Sequence, residues 1–362
     1  MEGMGLNKTF WSGKKVFITG HTGFKGSWLT SWLKLLGASI TGYSLPPQTN
    51  PSLFQVANVA EGITSLNGNI LDLENLQKAI QTQQPDIIFH LAAQPLVHYS
   101  YQNPIETYAV NVMGTANLLQ AVRSIDSTRV VIAVTSDKCY ENREWVWGYR
   151  ESDAMGGFDP YSSSKGCAEL VVSAYRRSYF NTKNYDQHRV ALATVRAGNV
   201  IGGGDWSEDR LIPDLVRSFI KKEVVSIRNP NACRPWQYIL DILRGYLMLT
   251  EQLWHKGGQL ADAWNFGPND ENIKSVSWIA DKSVAIWGND AKWALTENKF
   301  PHEATCLKLD CNKSRSILGW EPQMAIHDLL LQTLNWYKAH HHQENMEQFT
   351  LQQIKNYENK RA

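Results

Sequence analysis

The chain has 362 residues, enough to bury a sizeable core in anything from one large domain to about three. Lys plus Arg number 36 against 35 for Asp plus Glu, a formal net charge of +1, so no global field recruits nucleic acid or an anionic membrane and any anion site must be local. Cys139, Cys167, Cys233, Cys306 and Cys311 form no CxxC pair and no even framework, Met1 to Ser12 lack a signal peptide's apolar core, and no run reaches the ~20 apolar residues that span a bilayer. The expectation is a soluble cytoplasmic protein with reduced thiols.

In chain order, Lys15 to Thr19 is a short apolar run ending at glycines, and Trp28 to Leu36 follows with helical spacing until Gly37 stops it. Ser39 to Tyr43 reads as the next strand, Asp72 as the cap of a helix over Leu73 to Gln81, and Ile87 to Leu91 as a buried strand. Ile105 to Ser124 predicts one long helix, Val130 to Val134 a strand, Ser162 to Tyr179 a helix and Val190 to Val195 a further strand. Alternation of this kind implies an α/β fold, a Rossmann-type doubly wound parallel sheet over residues 13–200. Beyond Gly204 prolines punctuate short segments, which predicts a smaller mixed α/β substrate-binding lobe over 201–335, possibly interleaved with the core. Residues 340–362 are strongly polar and read as a surface helix or frayed tail. The adjacent His340, His341 and His342 do not converge on one ion, so no metal is expected.

Gly20, Gly23 and Gly26 stand three apart in Thr19-Gly20-His21-Thr22-Gly23-Phe24-Lys25-Gly26, between the first strand and its helix. Such a turn lets backbone approach a pyrophosphate, whose charge meets unpaired amides at the helix start. The segment resembles the TGxxGFxG fingerprint of the extended short-chain dehydrogenase/reductase family. That resemblance implies NAD bound by Gly20, Thr22, Gly23, Phe24, Lys25 and Gly26. It further implies Asn69 and Ile70 near the adenine, and Leu91, Ala92, Ala93 and Gln94 beside the coenzyme. The end of the second strand, Gly42-Tyr43-Ser44-Leu45, carries neither the acidic residue usual for NAD nor an arginine suited to NADP, so NAD rests on the resemblance.

Tyr161 and Lys165 are four apart at a predicted helix start, which puts them on one face. A nearby ammonium favours the phenolate, so proton removal from a sugar hydroxyl becomes feasible. Thr135-Ser136-Asp137-Lys138 precedes them at a strand end. A plain 4-epimerase needs the hydroxyl, tyrosine and lysine, but no added acid and base for eliminating water. The Ser136-Asp137-Lys138 order resembles the cytidine-diphosphate-glucose 4,6-dehydratases, where thymidine-diphosphate-glucose enzymes have glutamate in place of Lys138. The resemblance implies hydride borrowed from C4 and returned to C6. Tyr161 would be the base at the C4 hydroxyl and Asp137 the acid at the C6 hydroxyl. Lys138 or a neighbour would remove the C5 proton, and Ser136, or Thr135 as second candidate, would bond the C4 oxygen. A lysine can act so only when neutral. A 4-epimerase, a 4,6-dehydratase of another nucleotide sugar, and a noncatalytic nucleotide-binding scaffold are the alternatives, the last opposed by the presence of both Tyr161 and Lys165.

Arg196-Ala197-Gly198-Asn199-Val200-Ile201-Gly202 resembles the family's RxxNVYG segment, which makes Asn199 a substrate contact. Arg210 and Arg234 are candidates for the diphosphate, since a planar guanidinium engages two oxygens at once, with Tyr238 beside Arg234 as an aromatic contact. Arg228 is a weaker candidate, and His98 stands where the resemblance would favour arginine. CDP-glucose is the substrate the joint resemblance implies, as part of deoxysugar biosynthesis for surface polysaccharide such as O-antigen. No nucleic acid or membrane partner is expected. Family members commonly pair the helices 105–124 and 162–179 into a dimer's four-helix bundle, which implies a homodimer or dimer of dimers.

Overall fold

Four of the five residues of Lys15–Thr19 are buried, as a parallel strand covered on both faces requires. The computed structural model describes residues 6–227, 229–288, 290–295 and 307–360, so Arg228 and Cys306 lie outside the described residues. The core alternates β1 (Lys15–Thr19), α1 (Phe24–Leu35), β2 (Ser39–Ser44), β3 (Thr64–Asn67), α2 (Leu73–Gln83) and β4 (Ile87–His90). It continues through α3 (Val97–Gln102), α4 (Pro104–Tyr108), α5 (Gly114–Val122), β5 (Val130–Val134), α6 (Pro160–Ser178) and β6 (Ala191–Ala197). Later come α7 (Leu211–Lys221), α8 (Ile239–Lys256), β7 (Ala263–Phe266), α9 (Val276–Trp287), α10 (Ile326–His341) and α11 (Met346–Asn359).

The main sheet has seven strands in the order β7-β6-β5-β4-β1-β2-β3, and every pairing in it is parallel. Side chains alternate across it. Val16, Ile18, Ile87 and Phe89 join one apolar cluster with α1 and α8, while Phe17, Ile88 and Val131 join another with α2, α5 and α6. β7 enters this sheet from residues beyond 201, so the second lobe is threaded into the first. The lobe itself carries α7, a parallel pair Val224–Ile227 with Lys292–Leu295, and an antiparallel pair Cys233–Pro235 with Ile273–Ser275.

Three differences from the sequence expectation have physical causes. The edge strand β3 was not foreseen because its Thr64, Ser65 and Asn67 are exposed and show no apolar run. The long helix expected over Ile105 to Ser124 is α4 and α5 joined by a π turn over Ala109–Met113, which drives Asn111 into the interior. The polar end is a packed helix, not a frayed tail: α11 buries Met346, Thr350, Ile354 and Tyr357. Tyr357 Oη donates to the buried Asp241 carboxylate at 2.6 Å, and Trp32 Nε1 donates to Glu358 at 2.9 Å.

The first strands are also tied by histidines held neutral. His90 bridges Thr19 Oγ1 (2.7 Å) and Thr115 Oγ1 (3.1 Å), and His21 meets Ser65 Oγ at 2.7 Å. Burial lowers His90 to about 3 and His21 to about 4. Between these values and the ordinary 6.5 the unfolded chain binds protons that the folded one refuses, so their contribution is complete above the unfolded pKa and is lost as pH falls toward 4. Urea unfolding at about pH 7.5 and about pH 5 is expected to show this loss, and His90→Gln, which takes up no proton, to shrink the difference between the two.

Candidate active site

The glycine turn is built by close contact. Gly20 has φ +77°, and a Cβ there would lie 2.6 Å from the Ala92 amide nitrogen; a Cβ on Gly26 would lie 2.1 Å from the Gly20 carbonyl oxygen. The strand end, the turn and α1 therefore approach closer than any side chain permits. Gly23 is the N-cap of α1 and puts no side chain over its first amides, while Thr22 Oγ1 donates to the Leu45 carbonyl (2.9 Å) and tethers the turn to β2. This cradle fits a dinucleotide pyrophosphate.

The turn opens into a cleft of about 1580 Å³, larger than a single ligand needs and spacious enough for two nucleotides. Gly20, Thr22 to Gly26, Asn69, Ile70 and Leu91 to Gln94 line it, and so do Thr135 to Lys138, Tyr161, Lys165, Asn199, Arg210 and Arg234. Asn69 folds its Oδ1 onto the Leu71 amide (2.9 Å), and its carbonyl accepts from Tyr43 Oη (3.3 Å). Gln94 commits its side-chain amide inward, donating to Thr107 Oγ1 (2.9 Å) and the Leu96 carbonyl (3.1 Å).

Asp159 caps α6 by accepting from the Ser162 amide (2.9 Å), with Pro160 in the first turn, which puts Tyr161 at the helix mouth. Two residues not foreseen in the sequence hold that mouth in place. Ser100 Oγ on α3 accepts from the Tyr161 amide (3.1 Å), and Asn111 bonds both the backbone of Gln94 (2.9 and 3.1 Å) and Ser164 Oγ (2.8 Å). Asn111 reaches both because of the π turn, which no local motif announces.

Tyr161, Lys165 and Glu169 repeat at four-residue spacing along α6. The Glu169 carboxylate accepts from Arg196 Nε and Nη2 (both 2.8 Å), Thr194 Oγ1 (2.8 Å) and Thr135 Oγ1 (2.5 Å), all buried. The Thr135 hydroxyl, the second candidate for the C4 oxygen, thus gives its proton to Glu169, in a tie between β5 and α6. Ser136 caps the single turn Asp137–Cys139 by accepting from the Lys138 amide (3.2 Å) and donates to Asp137 Oδ1 (3.0 Å). Asp137 is 3% exposed, and its Oδ2 is buried without a hydrogen-bond partner.

Electrostatics change the reading of the tyrosine. Burial pushes Tyr161 up to about 12, opposed first by the Ser136 hydroxyl and then, past the contrary effect of Asp137, by the Arg210 charge. Lys165 Nζ lies 3.5 Å from the Val134 carbonyl, and burial together with Lys25 lowers it to about 8 while Glu169 raises it. The charges that bear most on the phenol are thus Asp137 and Arg210, not the lysine one turn on. Lys25, lowered to about 8 by burial and by Arg210, belongs to the same cluster.

A family model described as GDP-mannose 4,6 dehydratase matches residues 17–333. The chain belongs to this family. It is 54% identical to the CDP-glucose 4,6-dehydratase of Salmonella typhimurium over 92% of this chain and 93% of that one. Among solved structures, an epimerase of Methanothermobacter thermautotrophicus superposes with TM-score 0.78 at 22% identity, covering 91% of this chain and 94% of that one. A dTDP-glucose 4,6-dehydratase of Streptomyces venezuelae, solved with NAD bound, gives 0.76 at 22%, covering 91% and 98%. The extended short-chain dehydrogenase/reductase fold expected from the glycine turn is therefore correct.

Tyr238 departs from its expected role in this dehydratase-family cleft. It is 2% exposed, packs its ring 6.2 Å from Tyr357 and lines no part of the cleft, because the short strand Gln237–Tyr238 pairs with Val200–Ile201 and turns it into the core. His98 pairs with Asp209 at 3.5 Å. Glu169→Ala is expected to cost about 3–5 kcal/mol in urea unfolding, since it strands Arg196 in the interior. Gly26→Ala is expected to abolish retention of NAD, read from the nucleotide released on denaturing the purified protein.

Proposed function

We propose that the chain is an NAD-dependent hydro-lyase that converts CDP-D-glucose to CDP-4-dehydro-6-deoxy-D-glucose and water. The observation that carries this reading is the buried Ser136-Asp137 pair at the mouth of α6, with one carboxylate oxygen unpartnered beside the tyrosine. An epimerase has no use for that acid. The identity of 54% to a CDP-glucose 4,6-dehydratase supports the same reaction and supplies the nucleotide, which no single residue spells.

The Gly20, Gly23 and Gly26 turn, Asn69, Ile70 and the Leu91 to Gln94 segment would hold NAD, which would supply a reversible hydride acceptor for oxidation at C4 and reduction at C6. Tyr161 takes the proton of the C4 hydroxyl, and Ser136 bonds the same oxygen. A carbonyl at C4 acidifies C5, and Lys138, on the one-turn helix that carries Asp137, takes the C5 proton and gives a proton back to C5 once water has left and C6 is reduced. Asp137 protonates the departing C6 hydroxyl. Lys165, buried one helical turn from Tyr161, holds the nicotinamide ribose. Asn199, Arg210 and Arg234 bind the nucleotide sugar. Residues 13–200 then serve the coenzyme and 201–335 chiefly the substrate.

Ile105, Met113 and Leu170, 81%, 55% and 60% exposed on α4, the π turn and α6, support a homodimer, or a dimer of dimers, through those helices. No described helix is long and apolar enough to cross a membrane. Buried free Cys139 and Cys311 support work in a reducing cytoplasm, with the keto-deoxy product feeding deoxysugars of a surface polysaccharide such as O-antigen.

Purified protein given CDP-glucose and NAD is expected to yield a product lighter by one water in mass spectrometry. Unchanged mass with cytidine, thymidine, uridine and guanosine sugars alike would overturn the reading. Asp137→Asn is expected to lower turnover by roughly 10²-fold or more while leaving CDP-glucose binding intact.

A further inference from the structure

The loop after β6 carries an acid that no local pattern singled out. Asp205 follows Gly202-Gly203-Gly204, and its side chain is 7% exposed. Its Oδ2 accepts from Arg210 Nη1 at 2.6 Å and its Oδ1 from the Ser207 amide at 3.1 Å. Its carbonyl accepts from Tyr337 Oη on α10 at 2.5 Å. Arg217 on α7 braces the same loop by donating to the carbonyls of Trp206 (2.8 Å) and Ser207 (3.2 Å). From α1, Trp28 Nε1 donates to the Gly203 carbonyl at 2.9 Å. Three helices thus fix the backbone of the loop that carries this carboxylate.

We propose that Asp205 is the positioning residue of the nucleotide-sugar site, holding the Arg210 guanidinium in the cleft in the orientation that receives the substrate diphosphate. The inference rests on the reading of Arg210 as a diphosphate contact. A long arginine near other cations needs such a hold. Arg210 and Lys25 repel each other across the cleft, and an unrestrained guanidinium would relieve that by swinging out to water. Asp205 counters the repulsion on Nη1, which leaves Nη2 and Nε as a planar fork for two phosphate oxygens. Asp205 itself does not touch the substrate.

The test uses NAD-loaded enzyme and compares Asp205→Asn, Arg210→Gln and the double variant. The readouts are binding of CDP and CDP-glucose by calorimetry, kcat and KM, NAD retention and thermal midpoint. Asp205→Asn is expected to raise Kd and KM about 10- to 100-fold with kcat changed far less and NAD retention and midpoint kept. In the Arg210→Gln background the same substitution is expected to add less than about 3-fold, because it acts through a group already gone. Additive effects, or an unchanged KM in Asp205→Asn while Arg210→Gln weakens binding, would overturn the positioning role. Unaltered binding in Arg210→Gln would instead overturn the diphosphate reading beneath it. Should Asp205→Asn not fold, Asp205→Glu, which keeps the charge and displaces it by one methylene, is expected to raise KM without lowering the midpoint, and an unchanged KM there overturns the proposal.

Discussion

The buried Glu169–Arg196 pair is the constraint on which the rest of the site depends. A carboxylate taken out of water is costly unless every lone pair is met, and here two guanidinium nitrogens and two threonine hydroxyls meet it. Its partners come from the ends of β5 and β6, and its backbone belongs to α6. The pair therefore fixes how far along the sheet the helix sits. Tyr161 and Lys165 are two turns and one turn before Glu169 on the same helix, so their placement over the strand end Thr135-Ser136-Asp137 follows from that lock. Arg196 also donates to Tyr140 Oη at 2.7 Å, and Tyr140 to Asn265 Oδ1 at 2.7 Å, which carries the lock across to β7.

Around this frame the cleft gathers Lys25, Lys165 and Arg210 against Asp137 and Asp205. Burial and mutual repulsion lower both lysines, so the excess of positive charge is poorly satisfied by the protein alone. Anionic ligands relieve it. The same desolvation that suits diphosphates holds the Tyr161 phenol high, and the Ser136 hydroxyl and Arg210 are the groups that oppose it.

Much of the site was legible because it is local. A glycine turn between strand and helix, a tyrosine and lysine four apart, and a polar strand end each occupy a few consecutive residues, and backbone sterics or helix periodicity give each a single geometry. Asn111 and Ser100 were not legible, since they act through partners 53 and 61 residues away. Tyr238 was misread for the same reason. A hydroxyl at a strand end serves either the cleft or the helix behind it, and an aromatic beside an arginine faces either the ligand or the core.

From its own order of residues the chain determined the alternating α/β architecture, the coenzyme cradle and the chemical repertoire of the Ser136, Asp137, Lys138, Tyr161 and Lys165 set, because strand burial, glycine sterics and helical spacing are short-range. Tertiary structure alone decided which hydroxyl is tied to Glu169 and which to Asp137, which charges act on the phenol, and that β7 and α11 return to complete the core. Those outcomes depend on which distant donors satisfy each buried polar group, and a residue's neighbours in space are set only when the whole chain has packed.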